Sequence, residues 1–148
     1  MIDDLEILIR EKNAHISIGT LLCLKGLRGQ IRQVFQNLLA NALKFSKKDE
    51  SPVVEVSGNI IYEGTTPVAY EVRVADNGIG FNEKYTEKIF TVFQRLNSRE
   101  QYEGTGMGLA ISKKIMDKHQ GSITAESTEG EGSTFILSFP YHLLCQPK

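Results

Sequence analysis

The sequence has 148 residues, enough for one domain with a single hydrophobic core. Its hydrophobic content of 41% and charged content of 24% are ordinary for a globular protein, and its formal net charge of −1 argues against a nucleic-acid-binding protein. There is no membrane-spanning apolar run, no signal-peptide pattern and no zinc-ligand spacing among its histidines and cysteines. We expect a cytoplasmic domain that contacts neither nucleic acid nor membrane, which leaves open a membrane anchor elsewhere in a parent protein.

The first part of the chain predicts a helix, a strand and a second helix. Residues 3–13 carry apolar side chains at helical spacing, and we interpret residues 1–13 as the end of an upstream helix or linker. Residues 14–20 alternate between apolar and polar, which predicts a strand. The strongest helix pattern runs from Gln30 to Phe45, where apolar residues recur at i, i+3, i+4 and i+7.

A polar stripe accompanies the apolar face of this second helix. Asn37, Asn41 and Lys44 recur at i, i+4 and i+7, and Asn41 lies at the shoulder of the apolar face. A solvated helix face explains most such stripes. Asparagine is a poor helix former, however, so two of them along one line need a further reason. Their side-chain oxygens are suited to a hard cation such as Mg²⁺.

Two alternating strands follow as a hairpin and lead to an aspartate. Apolar residues alternate from Val54 and again from Val68 to Val74, and residues 63–67 form the predicted turn. Asp76 keeps the parity of the second strand's apolar side chains, so a strand that continues this far would direct it toward the buried face. It is either a turn aspartate before Asn-Gly or a hydrogen-bond acceptor at the bottom of a pocket, because a buried carboxylate needs donors.

Two glycine-rich segments, residues 76–80 and 104–108, surround a polar stretch. Glycines spaced closely before a helix let backbone N–H groups converge on phosphate oxygens, although a tight turn is the commoner explanation. Residues 94–105 lack periodicity and are a candidate lid. A helix that ends at Gly121 and two further strands complete the predicted elements.

These elements predict an α/β fold with a mixed sheet and helices on one face, in a two-layer sandwich. We place the domain at residues 14–140 and expect residues 141–148 to form a loose tail. The glycine segments lack the setting of a Rossmann fingerprint, and the P-loop and protein-kinase motifs are absent from the sequence.

Four segments, taken in order, resemble the sequence boxes of sensor histidine kinases. They are Asn-Leu-Leu-Ala-Asn-Ala (37–42), Asp-Asn-Gly-Ile-Gly (76–80), Phe-Thr-Val-Phe (90–93) and Gly-Thr-Gly-Met-Gly-Leu (104–109). The match covers the catalytic and ATP-binding domain from about Leu5 to Pro140, and residues 93–103 look most like phytochrome-like and hybrid kinases. The resemblance implies the Bergerat ATP-binding fold of the GHKL superfamily, which gyrase-type, chaperone and mismatch-repair ATPases share.

The resemblance also implies ATP and Mg²⁺ as cofactors, and a role for each matching residue. Asn41 would hold the magnesium ion, with Asn37 and Lys44 beside the phosphates; Asp76 would accept a hydrogen bond from the adenine amino group, and Arg95 would reach the γ-phosphate. The other implied nucleotide contacts are Phe45 near the ribose or base, Gly78, Gly80 and Phe81 near the base, Gly104, Thr105, Gly106, Met107, Gly108 and Leu109 around the phosphates, and Thr134 in a water network around Asp76.

One departure from the wider fold bears on the reaction. The hydrolysing ATPases have a glutamate base where this chain has Asn37, and an amide cannot take a proton from water. The resemblance therefore implies phosphoryl transfer from ATP to a histidine on a separate helical dimerisation and phosphoacceptor domain of the same parent protein, followed by relay to a response regulator.

The phosphoacceptor itself is not expected in this chain. The three histidines are followed by Ile, Gln and Leu, whereas the family's acceptor usually precedes an acidic residue. Two other functions stay open on the same fold: a serine kinase of the anti-sigma type, and a nucleotide-binding regulatory module without catalysis.

Overall fold

Five strands and two long helices make up most of the described part of the chain, in which residues 9–11 are also helical. A computed structural model describes residues 9–11, 13–19, 28–82, 90 and 107–144. The strands are β1 (His15–Ile18), β2 (Val53–Glu63), β3 (Thr66–Asp76), β4 (Ser122–Thr128) and β5 (Gly132–Pro140), and the helices are α1 (Arg28–Lys44) and α2 (Met107–Lys118). The strands make one sheet in the order β1-β2-β3-β5-β4.

The sheet is mixed, as the sequence predicts. β1 and β2 pair in parallel and are joined through α1, as a parallel pair requires a crossover connection. The pairs β2–β3, β3–β5 and β4–β5 are antiparallel. The β2–β3 turn is narrower than predicted, since both Glu63 and Thr66 belong to strands and Gly64 supplies a positive φ of 63°.

The hydrophobic core lies between one face of the sheet and the two helices. Alternate side chains of every paired strand point into it, and both helices contribute one apolar face. The most completely buried side chains are Val34, Leu38, Leu39 and Leu43 of α1, Met116 of α2, and Val54, Tyr70, Val72, Val74, Leu137 and Phe139 of the sheet. The predicted two-layer α/β sandwich is thus confirmed.

Several element boundaries differ slightly from the predictions. The first helix begins at Arg28 rather than Gln30, and residues 141–144 are not loose, because Tyr141–Leu143 form a 3-10 turn and Leu144 is buried. The predicted lid and most of the preceding short helix lie outside the described residues; Phe90 is described and packs edge-on against Phe135 in the core. Neither described helix is long and apolar enough to cross a membrane.

The β4–β5 turn approaches the end of β3 very closely. Gly132 has a φ of +113°, and a Cβ atom there would lie 2.1 Å from the backbone oxygen of Asp76. Gly130, in the same turn, has a φ of +83° but nothing within 4 Å of its would-be Cβ. The two glycines therefore separate the effect of backbone conformation from the effect of close contact.

We expect Gly132→Ala to lower the free energy of unfolding by about 3 kcal/mol or more, because the methyl group meets fixed backbone. Gly130→Ala carries only the conformational cost of a positive φ, about 1–2 kcal/mol. Urea denaturation of both variants and the wild type measures the difference. Equal losses for the two variants would show that the β4–β5 turn can move away from β3.

Candidate functional site

The central group of the candidate site is the Asp76 carboxylate at the end of β3. Asp76 pairs with Val54 on one side and Ser133 on the other, and it shares their inward-facing parity. The Gly78 N–H donates to its Oδ1 at 2.9 Å. Burial raises the pKa of the Asp76 carboxyl to about 6, and hydrogen bonds from the backbone N–H groups of Gly78 and Ser133 act in the opposite direction. A carboxylate is thus held in a poorly solvated place with its orientation fixed by backbone donors.

The segment after Asp76 fits between two other parts of the fold because two of its residues lack side chains. A Cβ on Gly78 would lie 2.5 Å from the Phe45 carbonyl oxygen at the end of α1, and one on Gly80 would lie 2.2 Å from the Thr128 carbonyl oxygen at the end of β4. The Ile79 N–H donates to the same Phe45 oxygen at 2.9 Å. The segment therefore bridges helix and sheet edge beside the carboxylate.

Asn77 anchors this segment on its other side. Its Oδ1 accepts the Val53 N–H at 2.8 Å, and its Nδ2 donates to the Ser51 carbonyl oxygen at 3.2 Å. Together with the Asn77 N–H, which donates to the Val53 carbonyl oxygen at 3.3 Å, the side chain continues the β2–β3 pairing beyond Asp76.

The residues of the polar stripe of α1 lie in two places, at the interface with α2 and near the end of α1. The Nδ2 of Asn37 donates to Oγ of Ser112 on α2 at 3.3 Å, and Ser112 is fully buried. Asn41 is half-buried, one turn further along, and Lys44 is exposed. Asn37 therefore faces the neighbouring helix, while Asn41 and Lys44 lie nearer the end of α1 that contacts the segment after Asp76.

A cavity of about 320 Å³ opens beside the carboxylate at the edge of the sheet. The described residues that line it are Asp76, Glu126, Ser127, Thr128, Glu131, Gly132, Ser133 and Thr134. Glu126 and Glu131 are exposed, so Asp76 is the carboxylate of this set that the fold desolvates. Among the described residues no cluster of three His, Cys, Asp or Glu side chains could hold a metal ion.

The register distinguishes two neighbouring hydroxyl residues on β5. Ser133 pairs directly with Asp76, whereas Thr134 pairs with Ala75 and belongs to the opposite parity. Ser133 is therefore the residue paired with Asp76, while Thr134 also lines the cavity, and its role in a water network around Asp76 stays a prediction. The alternation of Phe135, Leu137 and Phe139 already indicates that Ser133 shares the inward parity.

The other predicted contact residues are only partly described. Arg95, Gly104, Thr105 and Gly106 lie outside the described residues, and of Met107 and Gly108 only the helical backbone is placed. Leu109 packs against the core, as does Phe81, whose ring lies 6.5 Å from that of Phe135.

Comparison with known proteins places this arrangement in a family. The family model "Histidine kinase-, DNA gyrase B-, and HSP90-like ATPase" matches residues 26–143. The phytochrome-like protein Cph1 of Synechocystis is 46% identical over 132 residues, which are 89% of this chain and 17% of the length of that protein. The chain thus spans about a sixth of this curated relative, and the similarity agrees with the expected phytochrome-like type.

Solved structures have the same fold. The nucleotide-free catalytic domain of histidine kinase ThkA superimposes with a TM-score of 0.73 at 30% identity, covering 93% of this chain and 86% of that one. Full-length ShkA in complex with AMPPNP has a TM-score of 0.78 at 24% identity, covering 98% of this chain and 29% of that one. The chain therefore belongs to the histidine kinase-, DNA gyrase B- and HSP90-like ATPase family, as a catalytic domain of the sensor histidine kinase type.

Proposed function

We propose that this domain binds ATP with its adenine at Asp76 and transfers the γ-phosphate to a histidine on a separate helical domain of the same parent protein. A response regulator would then receive the phosphate. The observation that carries the proposal is the desolvated Asp76 carboxylate, held by the N–H groups of Gly78 and Ser133 beside an open cavity. An acceptor so placed matches the exocyclic amino group of adenine, which donates, whereas guanine has a carbonyl oxygen at the equivalent position.

Magnesium would accompany the phosphates. Mg²⁺ keeps several waters and is commonly held by one or two protein oxygens together with substrate phosphates. The half-buried Asn41, one turn before the end of α1, would offer an amide oxygen for this mode. The ion would supply charge neutralisation at the phosphates, with the exposed Lys44 one turn away as a second positive charge.

Transfer to another nucleophile is favoured over hydrolysis by Asn37. This amide donates to Ser112 between the two helices and cannot act as a base toward water. Phosphoryl transfer depends mainly on positioning and charge stabilisation, so a domain without a base still serves a strong nucleophile such as an imidazole.

The chain's own histidines do not suit the role of acceptor. His119 directly follows α2 and is buried, and its Nδ1 lies 2.8 Å from the Ile115 carbonyl oxygen in the last turn of that helix. His15 and His142 are exposed but lie on the edge strand β1 and in the 3-10 turn after β5 rather than on a long helix. The acceptor is therefore proposed to belong to another part of the parent protein.

Asp76→Asn should weaken ADP binding roughly tenfold to a hundredfold, because it removes a charged acceptor worth ~1.5–3 kcal/mol. Isothermal titration calorimetry measures this. Glu126→Gln is the matched control, since it also removes a carboxylate from the lining of the cavity but from an exposed side chain. Unchanged affinity in Asp76→Asn would contradict adenine recognition by Asp76.

The same substitution should stabilise the empty domain. The pKa of the Asp76 carboxyl is about 6 in the folded chain against an ordinary value of 3.8, so the unfolded chain accommodates the charge better. By thermodynamic linkage, the ionised Asp76 carboxylate lowers the free energy of unfolding of the wild type by up to ~3 kcal/mol above about pH 6. We expect Asp76→Asn to gain only part of this, because a neutral amide is a weaker acceptor than the carboxylate for the N–H groups of Gly78 and Ser133.

Urea denaturation at several pH values tests the expected gain. The advantage of Asp76→Asn over the wild type should be present above about pH 6 and shrink as the pH falls toward 4, because the folded wild type then takes up the proton and loses its buried charge. A variant no more stable than the wild type at neutral pH would show that desolvation of Asp76 is small.

The transfer reaction is tested with labelled ATP. The chain alone should bind ATP, hydrolyse it very slowly and incorporate no label, and addition of the parent protein's helical phosphoacceptor domain should give acid-labile phosphate on that domain. A double variant, His15→Ala with His142→Ala, is the control for labelling of exposed histidines. Strong labelling of the chain alone would overturn the proposal, and acid-stable phosphate on the partner would identify a serine kinase.

A further inference from the structure

The inward face of β4 changes from apolar to polar at its last inward residue, Ser127. Ile123 and Ala125 fill the same face, yet Ser127 is only 7% exposed. A buried hydroxyl is costly unless it is hydrogen-bonded, so the position requires specific partners.

The Ser127 hydroxyl has partners from two different segments. The Phe81 N–H donates to its Oγ at 2.8 Å, and that Oγ donates to the Gly132 carbonyl oxygen at 2.8 Å. A further hydrogen bond of 2.9 Å joins Ser127 Oγ to Ser133 Oγ. Because a hydroxyl has one proton and that of Ser127 is directed at Gly132, the proton between the two serines comes from Ser133. Ser127 thus also fixes the rotation of the Ser133 hydroxyl.

The two segments joined by Ser127 are those that supply the donors to Asp76. Phe81 closes the segment that contains Gly78, and Ser133 follows Gly132 on β5; the N–H groups of Gly78 and Ser133 both bond the Asp76 carboxylate. A change in the spacing of these segments would therefore change the position of both donors at once.

Backbone contacts near Ser127 also join the segment after Asp76 to the β4–β5 turn. Gly80 contacts the backbone at Thr128 and Gly132, and the Gly130 N–H donates to the Ile79 oxygen at 2.7 Å. These contacts set the approach of the β4–β5 turn to the segment after Asp76. Ser127 is the buried side chain that bonds both segments from within.

We propose that Ser127 is a positioning residue, whose hydroxyl holds the segment after β3 against β5 and so places the backbone donors that orient the Asp76 carboxylate for adenine recognition. The proposal rests on the proposed function for the ligand, and on the geometry of the described residues for the link between Ser127 and Asp76.

The test measures the pKa of the Asp76 carboxyl directly, by ¹³C NMR titration of the empty domain. Ser127→Ala removes the hydroxyl, and Ser127→Cys keeps a similar volume but bonds more weakly. Since the two backbone donors lower the pKa of Asp76, we expect both variants to raise it by about half a unit or more. We also expect ADP affinity to fall roughly fivefold to tenfold.

Ser46→Ala is the matched control, because Ser46 is also a buried hydroxyl, with a 2.9 Å hydrogen bond to the Leu43 carbonyl oxygen. It should lower stability without changing the Asp76 titration. If Ser127→Ala does not fold, Ser127→Cys is measured alone. A Ser127 variant that is less stable but keeps the wild-type Asp76 pKa and ADP affinity would overturn the proposal. If the wild type binds no ADP, the proposed function fails, while the titration still reports on the link between Ser127 and Asp76.

Discussion

The arrangement of the site depends on keeping one carboxylate, that of Asp76, ionised at the end of the central strand, on the face of the sheet that packs against the core. Burial opposes the charge, and two backbone N–H groups partly compensate for it. Those N–H groups come from the segment after β3 and from the start of β5, which both have to approach the carboxylate closely. Glycines at positions 78, 80 and 132 allow that approach, since a Cβ at each would lie within 2.5 Å of a backbone oxygen. The glycine pattern is thus a consequence of how the carboxylate is held.

Within the Asp-Asn-Gly-Ile-Gly segment, one residue supplies the acceptor proposed to bind adenine, and the others hold the segment in the fold. Asp76 presents its carboxylate to the cavity, while Asn77 uses its side chain to extend the pairing to Val53 at the start of β2 and to Ser51 before it. Ile79 bonds through its backbone to Phe45 on one side and to Gly130 on the other. Most of the segment therefore serves to hold one acceptor in place, as the proposed recognition of adenine would require.

The sequence predicts well those features that depend on local periodicity. The apolar spacing of α1, the alternation of β2 and β3 and the inward parity of Asp76 are all properties of single segments, and the structure has them. Contacts between distant segments are different, because they depend on register and packing. Ser127 and Phe81 are 46 residues apart and Asn37 and Ser112 are 75 apart, so no spacing in the sequence relates them. Ser133 lies between these cases: the sequence alternation predicts that it faces inward, but it does not predict that Ser133 pairs with Asp76.

The contact of Asn37 with Ser112 bears on how such a domain would use ATP. A glutamate at the same place on α1 would carry a charge into the interface with a fully buried serine, whereas an amide can donate there without that cost. The helix interface and the lack of a base are therefore mutually consistent. A domain that holds ATP at Asp76 without activating water retains the γ-phosphate until a better nucleophile is brought to it. Timing of the reaction would then be set by the arrival of the acceptor domain, which is the step that a sensor can control.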